Sequence, residues 1–143
     1  MKIPAVLAFF ALPLLLASCT PGATGPTANA LKPVVITEPT RHDTDDPAIW
    51  IHPTDRTKSL VIGTDKSTDG ALYVYDLDGK IVNRIGDLQR PNNVDVAYGL
   101  MLAGRPVDIA VTTERELQRL RVFSLPDLQL VDRGDLVVFA GDK

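Results

Sequence analysis

Short apolar runs separated by turn residues mark most of this chain. A first set comprises Val34-Val35-Ile36-Thr37, Ala48-Ile49-Trp50-Ile51, Leu60-Val61-Ile62-Gly63-Thr64, Ala71-Leu72-Tyr73-Val74-Tyr75 and Ile81-Val82. A second comprises Val94-Asp95-Val96-Ala97-Tyr98, Val107-Asp108-Ile109-Ala110-Val111-Thr112, Leu120-Arg121-Val122-Phe123 and Leu130-Val131. Runs of this length, rich in β-branched and aromatic residues and uninterrupted by a long helical period, predict strands. An offset of about 48 residues lays Ile49-Trp50 on Ala97-Tyr98, Ile62-Gly63-Thr64 on Ala110-Val111-Thr112, and Leu72-Tyr73-Val74-Tyr75 on Leu120-Arg121-Val122-Phe123. Four short strands in each period of about 40–50 residues predict an all-β fold of β-propeller blades, each blade four antiparallel strands. An immunoglobulin-like sandwich also holds about eight short strands, but the repeat of the third strand favours the propeller. Residues 46–143 supply about two blades where closed propellers use about four to eight, so an incomplete propeller is expected, completed by a longer reading frame or by several chains. Two blades alone would leave sheet edges and faces exposed.

The N-terminus has a different pattern. Lys2 is the only charged residue in 1–18, and the apolar run Ala5 to Ala17 is too short, at about 13 residues, to span a bilayer as a helix. It reads as a signal peptide ending in Leu16-Ala17-Ser18-Cys19, which looks like a bacterial lipobox in which Cys19 is lipidated and becomes the first mature residue. An ordinary secretory signal with Cys19 incidental is the competing reading. Cys19 is the sole cysteine, and an unpaired cysteine is unusual in an exported protein. Thr20 in place of an Asp after the cysteine resembles lipoproteins sorted to the outer membrane. Residues 19–33 are rich in Pro, Gly, Ala and Thr and read as the lipidated cysteine and a flexible tether, with the folded part at 34–143.

Charge and composition narrow the function. The formal net charge is −3, and loss of residues 1–18 would make it more negative, so the clustered basic residues that bind a phosphate backbone are lacking and nucleic acid is excluded as a partner. The chain has 15 Asp against 3 Glu, with 10 Gly and 11 Pro, a balance that favours turns or hard-cation sites built of Asp oxygens.

The densest polar constellation is His42-Asp43-Thr44-Asp45-Asp46-Pro47-Ala48-Ile49-Trp50, with three carboxylates leading into a strand. Like charges that close call for a positive neighbour, and a hard cation such as Ca²⁺ with its six to eight oxygen ligands is the natural one. A solvated acidic turn is the bland alternative. The pattern is not an EF-hand loop, because Pro47 and an apolar strand follow the carboxylates.

Asp45-Asp46-Pro47-Ala48-Ile49-Trp50 with Ile51-His52-Pro53 resembles the opening motif of the β-propeller phytases. Gly63-Thr64-Asp65-Lys66, the run Gly70 to Lys80, and Arg90-Pro91-Asn92-Asn93-Val94-Asp95-Val96 follow in that family's order, and the resemblance covers residues 34–143. It implies a six-bladed propeller that hydrolyses phosphomonoesters of myo-inositol hexakisphosphate, with calcium ions at one end of the channel activating a water and no covalent protein intermediate. Phytate is a dense polyanion, so an acidic protein holds it only through bridging cations and placed Lys or Arg.

Carried over residue by residue, the resemblance makes Asp45 and Asp46 calcium ligands, with the Pro47 and Val94 carbonyls as further ligands. Lys66 and Arg115 resemble phosphate-binding residues, and a guanidinium can grip phosphate bidentately. Ser67 departs from members with a second lysine there. The 48-residue offset sets Glu114 opposite Lys66, so equivalent strand ends would supply both basic groups to one channel mouth. Taken singly, Lys66 and Arg115 read as solvated charges. Asn92-Asn93 reads as a turn, His42 as a surface residue, His52 as a strand end, and Trp50, Tyr73, Tyr75 and Phe123 as core. A non-catalytic propeller lipoprotein that binds or scaffolds at the cell envelope is the competing function.

Overall fold

The computed structural model describes residues 31–134 and 136–138. The signal peptide 1–18, Cys19 and the tether up to residue 30 lie outside the described residues. β1 (Thr44–Trp50), β2 (Leu60–Asp65), β3 (Gly70–Tyr75) and β4 (Ile81–Leu88) form one antiparallel sheet in the order β1-β2-β3-β4. β5 (Pro91–Leu102), β6 (Arg105–Glu114) and β7 (Arg119–Leu125) form a second in the order β5-β6-β7. Within each sheet every strand pairs with the next in sequence, as in propeller blades. Among the described residues the helical content is one 3₁₀ turn, Arg56–Lys58, whose first amides are capped by the Asp55 carboxylate.

The strands follow the sequence pattern with three corrections. Val34–Thr37 makes no ladder. The leading segment instead crosses the outer face of the first sheet, where Glu38 N donates to Gly79 O (2.8 Å) and Arg41 N to the Tyr73 hydroxyl (3.1 Å). The expected fourth strand of the second blade, Leu130-Val131, shrinks to a single bridge between Phe123 and Leu130. Val131 N still donates to Val122 O (2.9 Å), but the Val122 amide goes to the Asp132 carboxylate (2.6 Å); the ladder is interrupted there and resumes with a bridge between Arg119 and Val137, where Leu120 N donates to Leu136 O (2.9 Å). The third correction concerns register. Ile62 faces Val74 and Ala110 faces Phe123, and all four lie in one core, so the third strand repeats at 49 residues while the second repeats at 48. Side chains alternate faces along a strand, so this one-residue slip is what turns Phe123 inward.

That core joins the two sheets. Trp50, Ile62, Leu72, Val74 and Leu88 of the first pack with Val94, Ala110, Phe123 and Leu125 of the second, and β5 lies against β1 and β2. Trp50 also bonds across the joint, its indole N–H donating to Asp108 Oδ2 at 2.9 Å. On the outer face of the first sheet Ala71, Tyr73 and Tyr75 cluster with Val61 and Ile81, with the Arg84 guanidinium 5.4 Å from the Tyr73 ring centre. The β3–β4 turn fits under the leading segment only as glycine. Gly79 has φ +82°, and a Cβ there would lie 2.8 Å from Ile36 O. Trp50, Tyr73, Tyr75 and Phe123 are all buried, as expected of packing residues.

Candidate functional site

The candidate residues gather where β1 and β5 begin and β2 and β6 end, because Thr44 pairs with Asp65 and Pro91 with Glu114. Both first strands carry a bulge just inside this end, between Thr44 and Pro47 and between Pro91 and Val94. A bulge bends the strand and redirects side chains, which releases the acidic lead-in from the regular alternation.

Asp46 is held firmly. Its amide donates to Thr64 Oγ1 (2.9 Å), and its Oδ2 accepts the Val94 amide (3.0 Å). Thr64 is fully buried and reaches the second blade through Asn92 O (3.3 Å). Its repeat equivalent Thr112 donates to Asn93 O (2.8 Å). Asn92 and Asn93 therefore lie inside β5 and are not the strand-ending turn expected of them; their carbonyls are taken by two threonine hydroxyls, and Asn92 Nδ2 donates to Asn93 Oδ1 (2.7 Å).

Lys66 already has anionic company. Its Nζ lies 2.9 Å from Asp45 Oδ1 and 3.7 Å from Asp43 Oδ2. The hydrogen bond to Asp45, with the nearby Asp43 charge, raises its pKa above the ordinary 10.5. Arg115 is exposed at the matching end of the second blade, beside a cavity of about 410 Å³ lined by Asn92, Asn93, Thr113, Arg115 and Arg119. One residue's backbone connects the two basic positions. Arg90 N donates to Ser67 O (3.0 Å), and Arg115 N donates to Arg90 O (3.1 Å).

Two residues outside the expected site complete its frame. Asp65 is fully buried and accepts the amides of His42 (3.1 Å) and Asp43 (3.0 Å) and contacts His42 Nδ1 (3.1 Å). His42 is exposed, as expected of a surface residue, with its ring against the buried Asp65 carboxylate. Glu114 is also fully buried, accepting the Gln89 amide (2.8 Å) and bonds from Arg119 and Arg121. Burial pushes its pKa up, but the Arg119 and Gln89 bonds outweigh that and leave it below the ordinary 4.5. Each stands directly before a basic residue, but nothing in the sequence marks either as buried, because the amides that satisfy it come from distant stretches of the chain. His52 lies two residues beyond the end of β1, its Nδ1 accepting the amides of Thr54 and Asp55.

The oxygen donors suit a hard cation in kind. Asp45, Asp46 and the carbonyls of Pro47 and Val94 are the donor types calcium takes. In number they form part of a coordination shell, for among the described residues no three Asp, Glu, His or Cys side chains converge as a metal cluster. Asp45 and Asp46 are engaged by Lys66 and by the Val94 amide. A larger cleft of about 880 Å³ opens at the opposite strand ends beside Trp50, Leu102, Arg105 and Asp108, but Asp108 there is bonded to Trp50 and to the Gly99 amide.

A family model described as Phytase matches residues 19–129. Over 71 residues the chain is 44% identical to the 3-phytase of Bacillus subtilis (strain 168), a stretch that covers 50% of this chain and 18% of that protein. The match thus spans about a fifth of that relative's length.

Proposed function

Because the chain belongs to the phytase family, we propose that its two blades form part of the phosphate-binding rim of a calcium-dependent phytase. The observation that supports this reading is the Arg90 backbone, which bonds Ser67, next to Lys66, on one side and Arg115 on the other, so that the two cations would share one rim beside the Asp43 and Asp45 carboxylates. Such a rim suits a substrate with several phosphates. Lys66 would act as a point charge on one phosphate, while the Arg115 guanidinium grips another bidentately. Asp45 and Asp46, with the Pro47 and Val94 carbonyls, would hold calcium, which when bound supplies the positive charge that joins acidic protein to polyanion. Asp46 would be preset for that task by its bond to the Val94 amide.

Hydrolysis, in this reading, needs carboxylates from further blades, since few acidic groups converge here and in-line attack depends on tight positioning. The same proposal covers export and anchoring: residues 1–18 are removed and lipid on Cys19 holds the protein at the membrane, with Lys32 and its neighbours as the tether.

The test is phosphate release from phytate with calcium and with chelator, beside size-exclusion chromatography with light scattering. A chain that binds phytate and releases little phosphate supports the reading. Chelator-insensitive hydrolysis would overturn the calcium role, and a monodisperse trimer with chelator-sensitive hydrolysis would overturn the need for further blades. Absence of any phytate binding would favour a scaffolding role.

A further inference from the structure

Burying a carboxylate is costly unless its oxygens are hydrogen-bonded, and the same end of each sheet bears that cost once. Asp65 and Glu114 are both fully buried, and each stands directly before one of the two basic residues, Lys66 and Arg115.

Their bonding repeats. Asp65 takes the amides of His42 and Asp43, and the following residue returns the grip, with Lys66 N donating to Asp43 O (2.9 Å). Glu114 takes the amide of Gln89, and Arg115 N donates to Arg90 O (3.1 Å). In each blade a carboxylate and the next amide clamp one short stretch of entering chain, residues 42–43 or 89–90.

The spacing shows what the two blades share. The first and second strands repeat at 48 residues, yet His42 matches Gln89 at 47 and Asp65 matches Glu114 at 49. One side is a residue early and the other a residue late, and the two shifts offset each other across the bulge. The hydrogen-bond geometry is therefore kept while the sequence spacing is not.

We propose that Asp65 and Glu114 are positioning residues that fix the placement of Lys66 and Arg115 at the rim. They touch no phosphate. Each locks the backbone on which the neighbouring cation stands, and Asp65 also holds Asp43, one of the two carboxylates on Lys66. The inference rests on the phosphate-binding reading of those two cations.

The test uses the full chain with Asp65→Asn and Glu114→Gln, which keep side-chain size and remove the charge. Lysine acylation and arginine modification by a glyoxal, read residue by residue by mass spectrometry, report each cation separately. Asp65→Asn is expected to raise Lys66 labelling about two- to fivefold, the range for releasing an exposed ion pair, with Lys58 and Lys80 unchanged. Glu114→Gln is expected to change Arg115 labelling measurably, through displacement of its backbone, and to leave Lys66 alone. In the unaltered chain the amides of His42, Asp43 and Gln89 should exchange hydrogen at least about tenfold more slowly than exposed turn amides.

Unchanged labelling at Lys66 and Arg115 in folded variants would overturn the proposal, as would exchange of those three amides at the rate of exposed turns. A rise over every lysine means that the variant has lost its fold, and the exchange measurement on the unaltered chain then decides. Phytate should protect both Lys66 and Arg115 in the unaltered chain. If it protects neither while each variant still exposes its own cation, the phosphate reading fails and the positioning of the two cations stands.

Discussion

Asp46 and Val94 are 48 residues apart in sequence and meet in space, the Asp46 carboxylate accepting the Val94 amide at 3.0 Å. Equivalent positions of successive repeats are thereby bonded to each other, one at the start of β1 and the other in β5. Val94 is only 4% exposed, so water is poorly placed to substitute for the lost acceptor. Asp46→Ala should therefore lower stability by about 1–3 kcal/mol, the cost of a buried donor left unpaired. Asp46→Asn keeps an acceptor oxygen and should lose less. Urea unfolding of the two variants checks the order; equal losses would mean that the Val94 bond is not what Asp46 supplies.

Trp50 makes a second tie between the blades, through its indole N–H to Asp108. Trp50→Phe retains an aromatic ring in the shared core and leaves the Asp108 oxygen without that donor. The expected loss is about 1–3 kcal/mol, read as a lower thermal midpoint. Asp108→Asn keeps one acceptor oxygen for two donors, the Trp50 indole and the Gly99 amide, and should also lower the midpoint. As the chain has one tryptophan, its emission should be blue-shifted in the folded state and move red in the same transition.

Strands were the most legible part of the sequence, since runs such as Leu60–Thr64 and Ala71–Tyr75 carry both the β-branched and aromatic residues and the turn residues that bound them. The limits appear where pairing partners decide. Val34–Thr37 is as apolar as a strand, but it lies against the Gly79 turn and is followed by bonds from Glu38 to Gly79 and from Arg41 to Tyr73, and no local pattern encodes that. β5 runs on past Tyr98 to Leu102 through a bulge at Gly99, whose φ of +68° a strand pattern reads as a stop. At the site, Asp45, Asp46, Lys66 and Arg115 stood out by their charge and motif. Asp65 and Glu114 did not, because a buried carboxylate is recognisable only from the amides and guanidinium groups that satisfy it.

Glu114 gives the fold an acid-sensitive element. Its folded-state pKa lies below the ordinary 4.5, so the stability it contributes is present above about pH 4.5 and is lost as the pH falls through the lower folded value. The urea midpoint of the unaltered chain should therefore drop in that acid window. Glu114→Gln should be less stable at pH 7 and should show a flatter profile below 4.5. A parallel drop in both proteins would assign the acid sensitivity to other carboxylates.

Cys19 is expected to carry the lipid anchor. Each buried methylene contributes about 0.8 kcal/mol, so several acyl chains would hold the protein at the membrane without a spanning segment. Labelled palmitate should be incorporated into the expressed chain and absent from Cys19→Ser, which should move to the soluble fraction. Equal labelling of the two would contradict the assignment.

Whether Lys66 and Arg115 form one phosphate-binding rim is read by calorimetric titration of phytate into the full chain with calcium. Binding should be saturable, abolished by chelator, and weakened roughly 10- to 100-fold by Lys66→Ala and by Arg115→Ala, with circular dichroism unchanged. Binding that is the same in both variants as in the unaltered chain would contradict a shared rim.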